Sequence, residues 1–227
     1  MSTQNDQGEE SPVLGVVLDE ASKKPELTAT VEQIAQMLAV IEKDVLPVTE
    51  QGVAKGNKVF GAAVLDANFG TVLAGTNSET TCPLFHGEVK VIYEWSKIVP
   101  ASERGAAAQS SVFLATHEPC CMCVSSILWA GFHTIYYFFP YSVTTAQGIP
   151  HDINTMHELW GVNSYRKRNK YFSSRCLIDL IEELDDSVPE KKSLQDTVQR
   201  LVQAYDTLSN KYHSEKASNP NNTLVLG

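Results

Sequence analysis

The 227-residue chain is 43% hydrophobic and 20% charged, and its 18 basic against 27 acidic residues leave a formal net charge of −9. That is the makeup of an ordinary soluble globule, one domain or one domain with an appendage, and its acidity argues against broad electrostatic binding to nucleic acid. Residues 1–11 are polar and acidic, unlike a signal peptide or membrane anchor, and no apolar run approaches the roughly 18 residues of a membrane span. Five cysteines, an odd number with three clustered, point to a reducing compartment, cytosol or nucleus, without structural disulfides.

Residues 1–12 are expected to be disordered, and Val13 to Leu18 form a short apolar run with no assigned role. Val31, Ile34, Leu38, Ile41 and Val45 then step at three and four, with Thr30 and Gln33 placed as a capping box and Pro47 just beyond, so a helix is predicted over 30–45. Apolar segments 59–65 and 71–75 flank Asp66-Ala67-Asn68-Phe69-Gly70, which is turn composition, and read as a hairpin. A helix over 87–98, a loop over 102–110, a buried strand over 111–116, a helix over 120–129 closed by Gly131 and an aromatic strand over 134–139 follow. This alternation predicts the α/β class, a sandwich built on a mixed sheet.

Past Pro140 the pattern predicts a long loop over 141–152, a short helix over 153–161 and a basic, aromatic cluster over 165–172 running on to Arg175. Such a cluster reads either as a solvated face or as a grip for phosphate or RNA. An apolar stretch over 176–184 holds Cys176 as a buried thiol. A second long helix over 193–212 carries Leu194, Val198, Leu201, Tyr205, Leu208 and Tyr212 on one stripe, to pack on the domain or on a second subunit. The expected organisation is a domain over 13–186, a C-terminal helix over 187–216 and a flexible tail over 217–227.

Two short motifs carry chemistry: Phe85-His86-Gly87-Glu88, and Glu118-Pro119-Cys120-Cys121-Met122-Cys123 some thirty residues on. A catalytic Zn²⁺ takes three protein ligands and keeps a fourth position for water, and His86, Cys120 and Cys123 supply that count. If Cys120 opens a helix, Cys123 shares its face, and the helix N-terminus favours both thiolates. Glu88, two residues past His86, points elsewhere and suits proton transfer beside the metal, whose water is acidified from about 9 toward roughly 7. A purely structural zinc site would draw a fourth ligand from Cys121 or His117, and would give Glu88 no role.

At these residues the chain resembles the cytidine and deoxycytidylate deaminase-like superfamily, whose zinc deaminases pair H-x-E with P-C-x-x-C. Thr116-His117-Glu118-Pro119-Cys120-Cys121-Met122-Cys123 looks like bacterial tRNA adenosine deaminases and guanine deaminases, and His86-Gly87-Glu88 like fungal cytosine deaminase. The resemblance spans about residues 28–140, half the chain. It implies a three-layer α/β/α sandwich with a mixed five-stranded sheet, here with extra C-terminal helices, and Zn²⁺ as cofactor. It also implies a homodimer and hydrolytic release of ammonia from a small heterocycle, a nucleobase or nucleoside.

Carried onto this sequence, the resemblance implies that Gly61 and Ala62 line the pocket and that Asn77 hydrogen-bonds the base or ribose. The Glu118 carbonyl would accept from the substrate amino group, and Tyr141, His151 and Asp152, after the fourth strand, are candidates for specificity. Two rival readings are a tRNA adenosine-to-inosine deaminase, or a subunit of one, and a zinc-stabilised scaffold without catalysis.

Overall fold

The computed structural model of the protein describes residues 26–222. The expected disorder over 1–12 and the Val13 to Leu18 run lie outside the described residues, and the tail over 217–227 lies partly outside them. Among the described residues, no helix is long and apolar enough to cross a membrane.

Helix α1 (Val31–Val40) starts as its capping box requires: Gln33 N–H donates to Thr30 Oγ1 at 3.3 Å, and the Thr30 N–H donates to Gln33 Oε1 at 2.9 Å. The chain does not stop at Pro47, as the sequence suggested. It widens into a π turn over Ile41–Val45, closed by Leu46 N–H to Ile41 O, and resumes as α2 (Leu46–Ala54). Proline lacks an N–H and crowds the carbonyl four residues back. The wider turn just before it relieves that conflict, so the helical path bends instead of breaking.

Strands β1 (Gly61–Leu65) and β2 (Thr71–Thr76) form the expected hairpin, and α3 (Gly87–Ile98) has the bounds read from the sequence. The segment over 102–110, expected as a loop, contains α4 (Arg104–Ser110). Its three consecutive alanines favour helix, and Arg104 ties it to the end of α3 by donating to the Ser96 carbonyl and, at 3.0 Å, to the Val99 carbonyl. Next come β3 (Val112–His117), α5 (Cys121–Ala130), ended by Gly131 at φ 91°, and β4 (Thr134–Phe139). The left-handed φ at Gly131 is one that glycine adopts without a Cβ penalty.

The long loop predicted over 141–152 is mostly helical: α6 (Tyr141–Ala146) follows Pro140, and α7 (His151–Trp160) begins before that range ends. Its Ser and Thr content hid a helix that buries Tyr141 and Thr144. The basic cluster leads into β5 (Ser173–Cys176), then α8 (Leu177–Glu182) and the long α9 (Lys191–Glu215).

The sheet order is β2-β1-β3-β4-β5, antiparallel from β2 to β3 and parallel from β3 to β5. Alternate strand residues feed two cores. Ala63, Leu65, Leu114, Tyr136 and Phe138 meet α1, α2, α8 and α9, whereas Ala62, Val64, Phe113 and Ile135 meet α3, α4 and α5. This is the expected three-layer α/β/α sandwich with a mixed five-stranded sheet. Each fully buried side chain such as Phe113 or Leu114 contributes about 1.5–3 kcal/mol. The stripe on α9 enters the first core through Leu194, Leu201, Tyr205, Leu208 and Tyr212. Trp95 of α3 packs on Phe132 in the second, while Trp129 on α5 is 86% exposed.

Candidate active site

The two motif-bearing helices begin side by side. His86 caps α3 with extended backbone (φ −60°, ψ 157°), Cys120 caps α5 likewise (φ −64°, ψ 174°), and neither side chain makes a capping hydrogen bond to its helix. They face each other instead. His86 Nδ1 lies 3.7 Å from both Cys120 Sγ and Cys123 Sγ. A tetrahedral ion with Zn–S near 2.3 Å and Zn–N near 2.0 Å separates such atoms by roughly 3.6 Å, so the donor set fits Zn²⁺.

Gly87 makes this approach feasible. A Cβ there would stand 2.9 Å from Gly61 Cα and 3.0 Å from the Phe60 carbonyl, so the start of α3 rests directly on the β1 backbone. Across the sheet, Gly61 N–H donates to Thr116 Oγ1 at 2.9 Å, fixing β1 against the end of β3 that delivers the cysteines.

Behind His86 lies a buried polar chain that the sequence reading missed. His86 Nε2 faces Glu79 Oε1 at 3.6 Å, and Glu79 also receives Lys58 Nζ at 2.9 Å and Asn77 Nδ2 at 2.7 Å. Asn77 Oδ1 in turn accepts from Gly87 N–H at 2.5 Å. A carboxylate behind a ligating imidazole sets its orientation. Only the short Asn77-Ser78-Glu79 loop hinted at this in the sequence, because Lys58 lies 21 residues from Glu79.

Glu88 is 5% exposed and sits beside the Cys123 thiol. Burial pushes its carboxyl up to about 7, against hydrogen bonds from its own backbone N–H and from Cys123. Burial likewise pushes Cys123 up to about 12 and lowers His86. The helix terminus that favours both thiolates thus works against burial at Cys123, and the charge of a bound ion would add to it.

Neither candidate for a fourth ligand joins the donor set, although Cys121 lies against Cys120 and lines the cleft above it. Cys121 Sγ contacts Thr155 Oγ1 at 3.7 Å, and the His117 ring sits between Phe60, Phe139 and Tyr205, bonded to Thr116 and Gln147. Burial holds His117 down to about 3, a neutral core histidine. Among the described residues, the side chains that converge as metal donors are His86, Cys120 and Cys123.

A cleft of about 320 Å³ opens over these ligands. Phe60, Pro83, Leu84, Met122 and Ile149 give it apolar walls, and Lys58, Glu79, His151, Asp152 and Thr155 give it polar points. His151 and Asp152, expected as specificity candidates, line this cleft, and its apolar walls are residues not named among the expected contacts. Gly61 is packed under Val45 and Thr49, Ala62 faces the α3 and α5 core, and the Asn77 amide is committed to Gly87 and Glu79. The Glu118 side chain, as distinct from the carbonyl expected to meet substrate, is held by Lys167 and the Tyr141 N–H, and the Tyr141 hydroxyl donates to the Pro119 carbonyl.

Residues 38–139 match the family described as the cytidine and deoxycytidylate deaminase zinc-binding region. No curated protein matches the chain. Among solved structures, the chain is similar to a guanine deaminase from Nitrosomonas europaea at 16% identity and TM-score 0.47, with 91% of this chain and 100% of that one covered. It is similar to guanine deaminase from Bacillus subtilis at 22% identity and TM-score 0.43, covering 56% and 83%. A structure from a study of A-to-I editing by tRNA:A34 deaminases aligns at 13% identity and TM-score 0.42, covering 69% and 99%. The segment that carries His86, Glu88, Cys120 and Cys123 therefore matches the cytidine and deoxycytidylate deaminase zinc-binding region.

Proposed function

We propose that the protein is a zinc-dependent aminohydrolase that releases ammonia from an amino group on a small aromatic heterocycle, a nucleobase or nucleoside. The observation that carries this reading is a three-donor metal site with Glu88 buried beside it, opening into a cleft sized for a flat ring.

When bound at His86, Cys120 and Cys123, zinc supplies Lewis acidity toward the attacking water. Glu88 takes a proton from that water and places it on the ring nitrogen next to the amine-bearing carbon. It then takes the remaining proton of the added hydroxyl and delivers it to the departing amino group, so that a carbonyl replaces the C–N bond and ammonia leaves. Glu79, held by Lys58 and Asn77, keeps the His86 imidazole turned toward the sulfurs. Phe60, Met122 and Ile149 exclude water from the ring faces, and Asp152, Thr155 and Lys58 read its polar edge.

The basic cluster offers an RNA substrate only part of its charge, since Arg166 and Arg168 are exposed but two other members are engaged. Lys167 turns inward to Glu118, and Arg175 is held by Glu26 and Glu183. Exposed Trp129 on α5 and Leu159 and Trp160 on α7 offer the homodimer of this reading an apolar surface, which sedimentation would test. The test of function is ammonia release by zinc-loaded protein from cytosine, guanine, adenine, their nucleosides and pterins. Turnover of one of these supports the reading; turnover of tRNA alone, with salt-sensitive binding, replaces it.

A further inference from the structure

The turn that delivers the cysteines is held from a part of the chain outside the family region, which ends at residue 139. Glu118 is 4% exposed, and both oxygens of its carboxylate are engaged. Tyr141 N–H donates to Oε2 at 3.2 Å, and Lys167 Nζ forms an ion pair with Oε1. The Tyr141 hydroxyl donates to the Pro119 carbonyl at 2.5 Å, one residue before Cys120. The Lys167 ammonium lies 4.0 Å from the Tyr165 ring centroid, 4.8 Å from Tyr137 and 5.5 Å from Tyr141. Aromatic faces of this kind stabilise a cation drawn from solvent, so the lysine of an otherwise outward-facing basic segment is selected for an inward position.

The consequence concerns the metal. Cys120 is the cap of α5 and Cys123 its third residue, so the direction of the Glu118-Pro119 turn sets where both sulfurs begin. We propose that Lys167 and Tyr141 are positioning residues for the zinc centre, clamping the Glu118-Pro119 turn so that the two sulfurs meet His86 Nδ1 in tetrahedral geometry. This rests on the metal-site reading of His86, Cys120 and Cys123 but not on turnover of any particular substrate.

The test is zinc affinity, by competition with a chromophoric chelator, and the visible spectrum of the cobalt(II)-loaded protein, in Lys167→Met, Tyr141→Phe and Lys167→Arg. Lys167→Met and Tyr141→Phe should each bind zinc ten- to a hundredfold more weakly, the usual cost of losing a supporting partner of a ligand. Their cobalt bands should shift from the wild-type positions while the far-UV spectrum stays native. Lys167→Arg should stay within about threefold of wild type, and Arg168→Ala, on the exposed face of the same segment, should not differ from it. Wild-type affinity and cobalt bands in Lys167→Met and Tyr141→Phe overturn the proposal, as does zinc loss that only tracks the unfolded fraction. If Lys167→Met does not fold, Tyr141→Phe, which removes a single hydroxyl, decides alone. A wild-type protein that binds zinc yet deaminates nothing refutes the proposed function and leaves the clamp standing.

Discussion

Replacing Glu88 by glutamine removes a proton carrier and a buried charge while keeping the side chain's volume. The carboxyl is 5% exposed, and burial moves its titration from the ordinary 4.5 to about 7. At about 1.4 kcal/mol per decade, that is about 3 kcal/mol set against the ionised form in the metal-free protein. The sign follows from a folded value above the unfolded one. Stability contributed by the neutral carboxyl is complete below 4.5 and is lost as pH rises through about 7. Metal-free Glu88→Gln should therefore be more stable than metal-free wild type at pH 8, by up to about 3 kcal/mol in urea unfolding, with the advantage vanishing near pH 4. The zinc-loaded variant should bind substrate and retain one ion per chain, yet lose about 10²- to 10⁴-fold in kcat, or about 3–5 kcal/mol of barrier. Coupled-enzyme ammonia detection and elemental analysis on the same preparation read both quantities. Turnover within tenfold of wild type, or loss of the ion, would refute the assignment of Glu88 as proton carrier rather than ligand.

Gly87→Ala sets a methyl group 2.9 Å from Gly61 Cα and 3.0 Å from the Phe60 carbonyl, so thermal unfolding should show a loss of about 1–3 kcal/mol, accompanied by weaker zinc binding. Burial, with Glu88 adding to it, raises Asp152 from 3.8 to about 8. Its contribution to stability is thus present at low pH and lost on the way to about 8, and a urea series on metal-free Asp152→Asn should show a flatter pH dependence than wild type. With Cys123 pushed up to about 12, zinc uptake at pH 7 should release about two protons per ion from the two thiols, measurable by calorimetry in buffers of differing ionisation enthalpy. Reversing the exposed Arg166 and Arg168 to glutamate should leave deamination of a free base within about twofold of wild type, whereas an RNA substrate would be lost.

The metal donors were legible in the sequence because coordination chemistry ties residue type to spacing: His86, Cys120 and Cys123 admit few other readings. The helix from Gly87 and the strand Thr134–Phe139 were also legible, since a period of 3.6 or a run of β-prone aromatics is local information. What escaped depends on partners distant in the chain. Lys58 and Glu79 are 21 residues apart and Lys167 and Glu118 are 49 apart, and nothing near Lys167 separates it from its outward-facing neighbours. The π turn before Pro47 and the helices Arg104–Ser110 and Tyr141–Ala146 were missed for a related reason. Their sequences read as stop or loop signals that packing against the sheet overrides.

The three tryptophans are placed unequally, and that gives the protein an internal spectroscopic reporter. In the monomer, Trp95, 2% exposed on the helix that begins at His86, should emit in the blue and resist acrylamide, whereas Trp129 and Trp160, at 86% and 55%, should emit in the red and quench readily. Fluorescence recorded under saturating quencher would therefore isolate Trp95, and a titration with metal would follow that helix alone.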